Sequence, residues 1–120
     1  DTLGTITVVG TDAAGNAISE TITPSSGTTV AGTKAFKTVT SVTGAGWVIG
    51  GGNDTITVGV GGKIGLPLKL KVALVIAAVL NGTREATLPT LTVSDSVLAS
   101  NTIDFNSAWA GTAAVVYLLV

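Results

Sequence analysis

The residues in this chain that could do chemistry are seven carboxylates and six cations, with no histidine and no cysteine. Without those two types, Ser–His and Cys–His nucleophile pairs cannot form, and most zinc sites lack their ligands. A glycosidase needs two carboxyls facing each other across a cleft. Here every carboxylate stands beside turn residues or on a Thr-rich strand, where solvation accounts for it. Asp12, Asn16, Asn53 and Asp54 are oxygen donors in loops, the ligand type calcium takes. No loop repeats acidic residues at EF-hand spacing, however, and Asp and Asn in such places cap turns with their own side chains. The run VGVGGKIG sets glycines before Lys63 but lacks the GxxxxGK[ST] spacing and a following helix, so it reads as a β-turn and not a phosphate cradle. Asn53-Asp54-Thr55 and Asn81-Gly82-Thr83 match the glycosylation sequon, a short pattern that matters only in a secretory pathway. The residues therefore predict no catalytic group, no metal and no cofactor, and a protein that is not an enzyme. Trp47 and Trp109 both sit near glycine and alanine in loop-like contexts. Either they anchor a partner, since Trp is enriched at interface hot spots, or they cap the core; both readings stay open.

The elements that must hold these residues are built from an unusual composition. Of 120 residues, 46% are hydrophobic but only 4% aromatic, and Gly numbers 16. The core is thus made of Val, Ile, Leu and Ala, and abundant Thr suits the outward face of strands. One domain covering residues 1–120 is the size expectation. A chain this long buries roughly two-thirds of its unfolded surface. Six basic and seven acidic residues leave a net charge of -1. Neither sign clusters, so the basic face that nucleic acid needs is missing. Charge this sparse, with a mean hydropathy of +0.64, points to a protein covered by partners in its working state. The absence of cysteine removes disulfides without excluding a compartment. No signal-peptide pattern is visible. The chain begins at Asp1 without Met, so either an initiator has been removed or the start lies upstream. The apolar runs Val72–Leu80 and Ala113–Val120 fall far short of the roughly 20 residues of a membrane helix and read as core strands.

The longest apolar run, Val72–Leu80, is predicted to be the central strand, buried on both faces, entered from a loop at Lys63–Pro67 and left through the hairpin turn Asn81-Gly82. A helix over Val72–Leu80 competes on Ala and Leu content. Short length and the glycine turn favour the strand. Upstream, Leu3–Val9 and Ala17–Thr23 alternate with period two and form a hairpin with a five-residue connection, Asp12 to Asn16. Glu20 falls on the isoleucine face of its strand, so that face is wet at its middle or pairs Glu20 with a lysine. Further strands are predicted at Thr28–Val30, Ala35–Thr43, Asp54–Val60, Glu85–Val93, Asn101–Phe105 and Thr112–Val120. In Asp54–Val60, Ile56, Val58 and Val60 should point inward. Pro89 kinks its strand or marks an edge. About nine short strands with no convincing helix give an all-β class: a single antiparallel β-sandwich. GTITVVG and DTITVGVG share one strand grammar.

The strings GTITVVGTDAAGNAISETIT, GTKAFKTVTSVT, DTITVGVGGKIGLP, NGTREATLP and NTIDFNSAWAGTAAVVYLLV, in this order, resemble small virion structural proteins of tailed bacteriophages, of the head decoration or cement type. The resemblance runs over nearly the whole chain and rests on β-turn grammar. It implies a β-sandwich or β-tulip-like domain that binds the outer capsid lattice beside the major capsid protein, often as a homotrimer, and resists internal DNA pressure. It implies a place on the phage head surface after synthesis in the host cytoplasm, no nucleic-acid or membrane partner, and no catalytic residues. Loop residues are then expected to touch neighbours: Lys63, Ile64, Leu66 and Pro67, with Trp47 and Trp109. The alternatives from other classes are an Ig-like adhesin or carbohydrate-binding module, and a phage tail or head–tail joining component.

Overall fold

The computed structural model describes residues 2–52, 55–109, 111 and 113–120. Asn53, Asp54 and the sequon they begin lie outside the described residues, as do Ala110 and the predicted strand start at Thr112. The fold is all-β and antiparallel, as expected, in a sandwich-like arrangement of three small sheets that do not close on one another. The strands are β1 (Thr5–Thr11), β2 (Ala17–Ile22), β3 (Thr38–Ala45), β4 (Lys63–Gly65), β5 (Val75–Leu80), β6 (Thr83–Arg84), β7 (Thr90–Thr92), β8 (Thr102–Asp104) and β9 (Ala114–Leu118). One 3-10 turn, Leu98–Ser100, precedes β8.

The first sheet has the order β2-β1-β3. Its hairpin matches the expectation: β1 and β2 pair from Ile6↔Ile22 to Thr11↔Ala17 across Asp12–Asn16. Period-two alternation splits the sheet into two faces. Ile6 and Val8 are buried on one. The other is a hydroxyl face, where Thr7 and Thr21 hydroxyls meet at 3.2 Å and those of Thr11 and Thr38 at 2.6 Å. The β1–β3 register shifts between Val9 and Gly10. Thr40 is the extra residue of this bulge, and its hydroxyl donates to the Val9 carbonyl at 3.0 Å. Such an insertion sharpens the local twist.

The other two sheets, β4-β8-β7 and β6-β5-β9, share one core. Ala78, Leu80, Ile103 and Phe105 form it, with Ile64, Leu66, Leu91 and Val116 packed around them. β5 is the middle strand of its sheet, and Asn81 (φ 50°) and Gly82 (φ 77°) turn the chain into β6 as the Asn-Gly pair predicts. The first sheet contributes nothing to this core. It joins the rest through the 31–37 segment, where the Ala35 N–H donates to the Ala99 carbonyl at 2.8 Å.

Several expectations need correction. Residues 55–60 carry no β pairing, and Ile56, Val58 and Val60 are exposed at 47%, 54% and 103% instead of pointing inward. Alternation makes a strand possible, but an edge must accept its hydrogen bonds, and the segment lies along none among the described residues. Lys63–Pro67 is not simply a loop: its first three residues are β4, paired Lys63↔Asp104 to Gly65↔Thr102. The central strand begins at Val75, not Val72, and Val72, Leu74 and Ile76 are exposed, so its two faces are not both buried. Of Glu85–Val93 only Thr90–Thr92, β7, is a strand; β6 ends before it at Arg84 and belongs to a different sheet, with Pro89 between the two. β1 and β3 are shifted toward the C-terminus by two residues or more, the strands predicted at Ala17–Thr23, Asn101–Phe105 and Thr112–Val120 are shorter, and Thr28–Val30 reduces to a single Ser25↔Thr28 bridge.

Candidate interaction surface

Two of the carboxylates, Asp12 and Glu20, are engaged in holding turns and connections. One Asp12 carboxylate oxygen accepts the backbone N–H groups of Ala14 and Asn16, both at 2.9 Å, and the other accepts the Asn16 amide at 3.1 Å. Gly15 supplies the positive φ (88°) that closes this turn. The Asn16 amide and backbone N–H groups hold the Asp12 carboxyl below its ordinary range against the opposing effect of burial. This is the turn-capping role, and it uses the oxygens a cation would need. Asp54 lies outside the described residues. Among the described residues no three His, Cys, Asp or Glu side chains gather at a spacing that could hold a metal.

Glu20 binds backbone rather than a lysine head group. One carboxylate oxygen accepts the Thr33 backbone N–H and hydroxyl, both at 2.7 Å, and the other accepts the Lys34 N–H at 3.1 Å. The Lys34 ammonium reaches the Ser19 carbonyl at 2.7 Å instead. Burial raises the Glu20 pKa, but these donors and the nearby Lys34 charge outweigh it and the net shift is down. Gly32 lets the segment approach: a Cβ there would lie 2.7 Å from a Glu20 oxygen. Glu20 thus clamps the 31–37 connection across β2.

The six residues expected at neighbours do not form one patch of a single kind. The Trp47 indole N–H donates to the Thr5 carbonyl at 3.3 Å and its ring lies against Gly44, so Trp47 covers the buried side of the first sheet. Ile64 and Leu66 pack against the main core, and the Leu66 N–H donates to the Asn101 carbonyl at 2.9 Å. Lys63, Pro67 and Trp109 are exposed.

The sequence reading missed Asn101. Its side chain is fully buried and holds three loop segments to β8. The amide oxygen accepts N–H groups from Leu70 (3.0 Å) and Ser94 (2.9 Å). The amide nitrogen donates to the carbonyls of Ser94, Val97 and Leu98 at 2.8, 3.0 and 3.2 Å. An Asn beside a polar loop carries no sequence signal that separates this role from an ordinary turn cap.

Two recesses on the surface are shallow. One of about 340 Å³ is bounded by Leu80, Asn81, Arg84, Glu85 and Ser107. A Glu85 carboxylate oxygen is buried there without a hydrogen-bond partner among the described residues. A second recess of about 320 Å³ lies between Asp12 and Val97.

The outer surface is the unusual feature. The accessible area is 7762 Å², against about 5,900 Å² expected for a folded monomer of this mass. The radius of gyration is 16.6 Å with extents of 51 × 29 × 21 Å, against about 14 Å for a rounded chain of this length. Much of the excess is apolar. On the outer face of the β6-β5-β9 sheet, Val115 and Tyr117 are exposed, beside Ile76 at the β5 bulge. No protein-family model, curated relative or solved structure matches this chain.

Proposed function

We propose that this protein is a structural coat subunit of the tailed-phage head decoration type. It would bind the outer surface of a capsid lattice through sheet edges and apolar faces, as a homo-oligomer, and perform no catalysis. The observation that carries this reading is the surplus of exposed surface: about 1,900 Å² beyond what a self-sufficient monomer of this mass shows, on a chain whose exposed residues include Val39, Val42, Ile76, Val115 and Tyr117 on strands and further Val, Ile and Leu between them. A surface of that kind demands a cover. The sparse charge lowers the desolvation cost of covering it. Many copies on a repeating lattice convert modest single contacts into firm attachment. A sugar platform draws less support, because Phe36, Trp47 and Phe105 of the five aromatics lie against the fold.

The test is reconstitution. Shells assembled from a tailed-phage major capsid protein found in the same genome as this chain are mixed with the purified protein and imaged. The expected result is saturable density at symmetry-related positions and shells that rupture at a higher temperature. Shells that stay bare at saturating protein would overturn the proposal.

A further inference from the structure

We infer that residues 55–60 are a β-strand donated to a second copy of this chain, laid along the free edge of that copy's β3. The tetrapeptide Thr-Ile-Thr-Val occurs twice, at Thr5–Val8 and at Thr55–Val58. In β1 it is a central strand: Ile6 and Val8 are each 8% exposed, and both neighbours pair with it. In the second copy of the motif, Ile56 and Val58 stand in solvent, and the backbone of 55–60 makes no sheet or backbone hydrogen bond among the described residues. A half-apolar strand sequence with unused backbone donors and acceptors lacks an edge to join.

β3 supplies the matching edge. It pairs with β1 on one side and, among the described residues, with no strand on the other. One of its faces continues the hydroxyl ladder of β1, through Thr38, Ser41 and Thr43, and the other carries Val42 opposite the buried Val8. A strand with Thr on one face and Ile and Val on the other extends both patterns together. The β6-β5-β9 edge fits less well, because Val115 and Tyr117 make its outer face apolar too. Edges are ordinarily guarded by a charge or a proline. β3 has neither, and residues 55–62 have neither, so joining them strips water from no charge. Val39 and Val42, 55% and 46% exposed, would be covered. The surplus area agrees in size. A standard interface takes about 800 Å² from each partner and obligate ones more, within the roughly 1,900 Å² this chain shows in excess. Donation from one copy to the next closes as a reciprocal dimer or a ring.

This inference stands apart from capsid binding, and its test uses the isolated full chain. Sedimentation equilibrium is expected to find a closed oligomer. Val58→Pro removes a ladder donor and fixes φ, and is expected to weaken association at least tenfold while the β-type circular dichroism and the melting cooperativity of the subunit persist. Because the chain has no cysteine, pairing can be mapped directly. Val58→Cys mixed with Val42→Cys is expected to give a disulfide-linked dimer on mild oxidation, with Ile56→Cys as the neighbouring register. A monomer at all concentrations overturns the inference. So does an oligomer indifferent to Val58→Pro, a Val58→Pro chain that no longer folds, or, in one chain carrying both Val42→Cys and Val58→Cys, a disulfide that closes within that chain. Oligomers that fail to coat shells would leave strand donation intact and remove the capsid reading; coating by a monomer would do the reverse.

Discussion

The Asn101 side-chain oxygen accepts the Leu70 backbone N–H at 3.0 Å, joining residues 31 apart in sequence where both are almost fully buried. That bond fixes the chain just before β5 against the strand β8 that forms the other half of the core. Every hydrogen-bonding capacity of the Asn101 amide is used, by two donors and three acceptors. Polar groups buried this way stabilise only while complete.

Asn101→Ala is therefore expected to strand two N–H groups and several carbonyls, and to cost about 3 kcal/mol or more at roughly 1–3 kcal/mol per orphaned group. Asn101→Asp keeps the size but points a carboxylate at carbonyls it cannot donate to, and should cost at least as much. Urea unfolding of both variants checks this; a loss under about 1 kcal/mol would mean that water replaces the amide at little cost.

Acid should weaken the first sheet before the core. Asp12 and Glu20 both titrate below their ordinary values of 3.8 and 4.5 in the folded chain. A carboxyl with a depressed folded pKa adds stability that is complete above its unfolded pKa and disappears as pH falls through the folded one. The unfolding midpoint should thus be flat near neutrality and decline between about pH 5 and about pH 2. Glu20→Gln should flatten part of that decline, since the amide keeps an acceptor for Thr33 but has no charge to lose. An identical acid slope in the variant would assign the decline to other carboxyls.

How much of this was legible beforehand differs by element. The 5–22 hairpin and the Asn81-Gly82 turn follow from local rules, because period-two alternation and a positive-φ pair each act within a few residues. The end of pairing after Arg84 and the start of a strand of another sheet at Thr90 are tertiary and leave no local mark beyond Pro89. Residues 55–60 show the limit most clearly: the same four residues are a central strand at Thr5–Val8 and unpaired at Thr55–Val58, so the difference lies in which edge is within reach. Trp47 was a choice between contact and cap that only the position of Gly44 and the Thr5 carbonyl decides. The Asn101 network depends on three segments converging, which no spacing announces.

Gly10 is expected to tolerate no side chain. It sits at the β1–β3 bulge, and a Cβ there would run into the Thr38 carbonyl, with the Phe36 ring also close. The obstacle is backbone and cannot rotate away. Gly10→Ala should push β3 off β1 and cost about 2 kcal/mol, in the range of overpacked cores. Gly15→Ala, with open space but φ of 88°, should cost less, about 1 kcal/mol. Comparing the two by thermal melting separates steric from conformational demand; equal losses would mean that β3 shifts freely.

The two tryptophans should part company. Trp47 holds a hydrogen bond to Thr5 and covers Gly44, so Trp47→Ala removes cover from the buried side of the first sheet and is expected to cost about 2–3 kcal/mol, below the range for a fully buried ring. Trp109 is 42% exposed, and Trp109→Ala should change the melting temperature less. If shells take up the protein, the order reverses in the binding assay. Any loss of occupancy for Trp47→Ala should be recovered at a temperature where the variant is folded, whereas a loss for Trp109→Ala should persist there, because it removes contact area and not the fold that presents it. Occupancy measured by imaging at two temperatures distinguishes these. Full occupancy of the Trp109→Ala protein would take that residue out of the contact, and a persistent deficit for folded Trp47→Ala would put Trp47 into it.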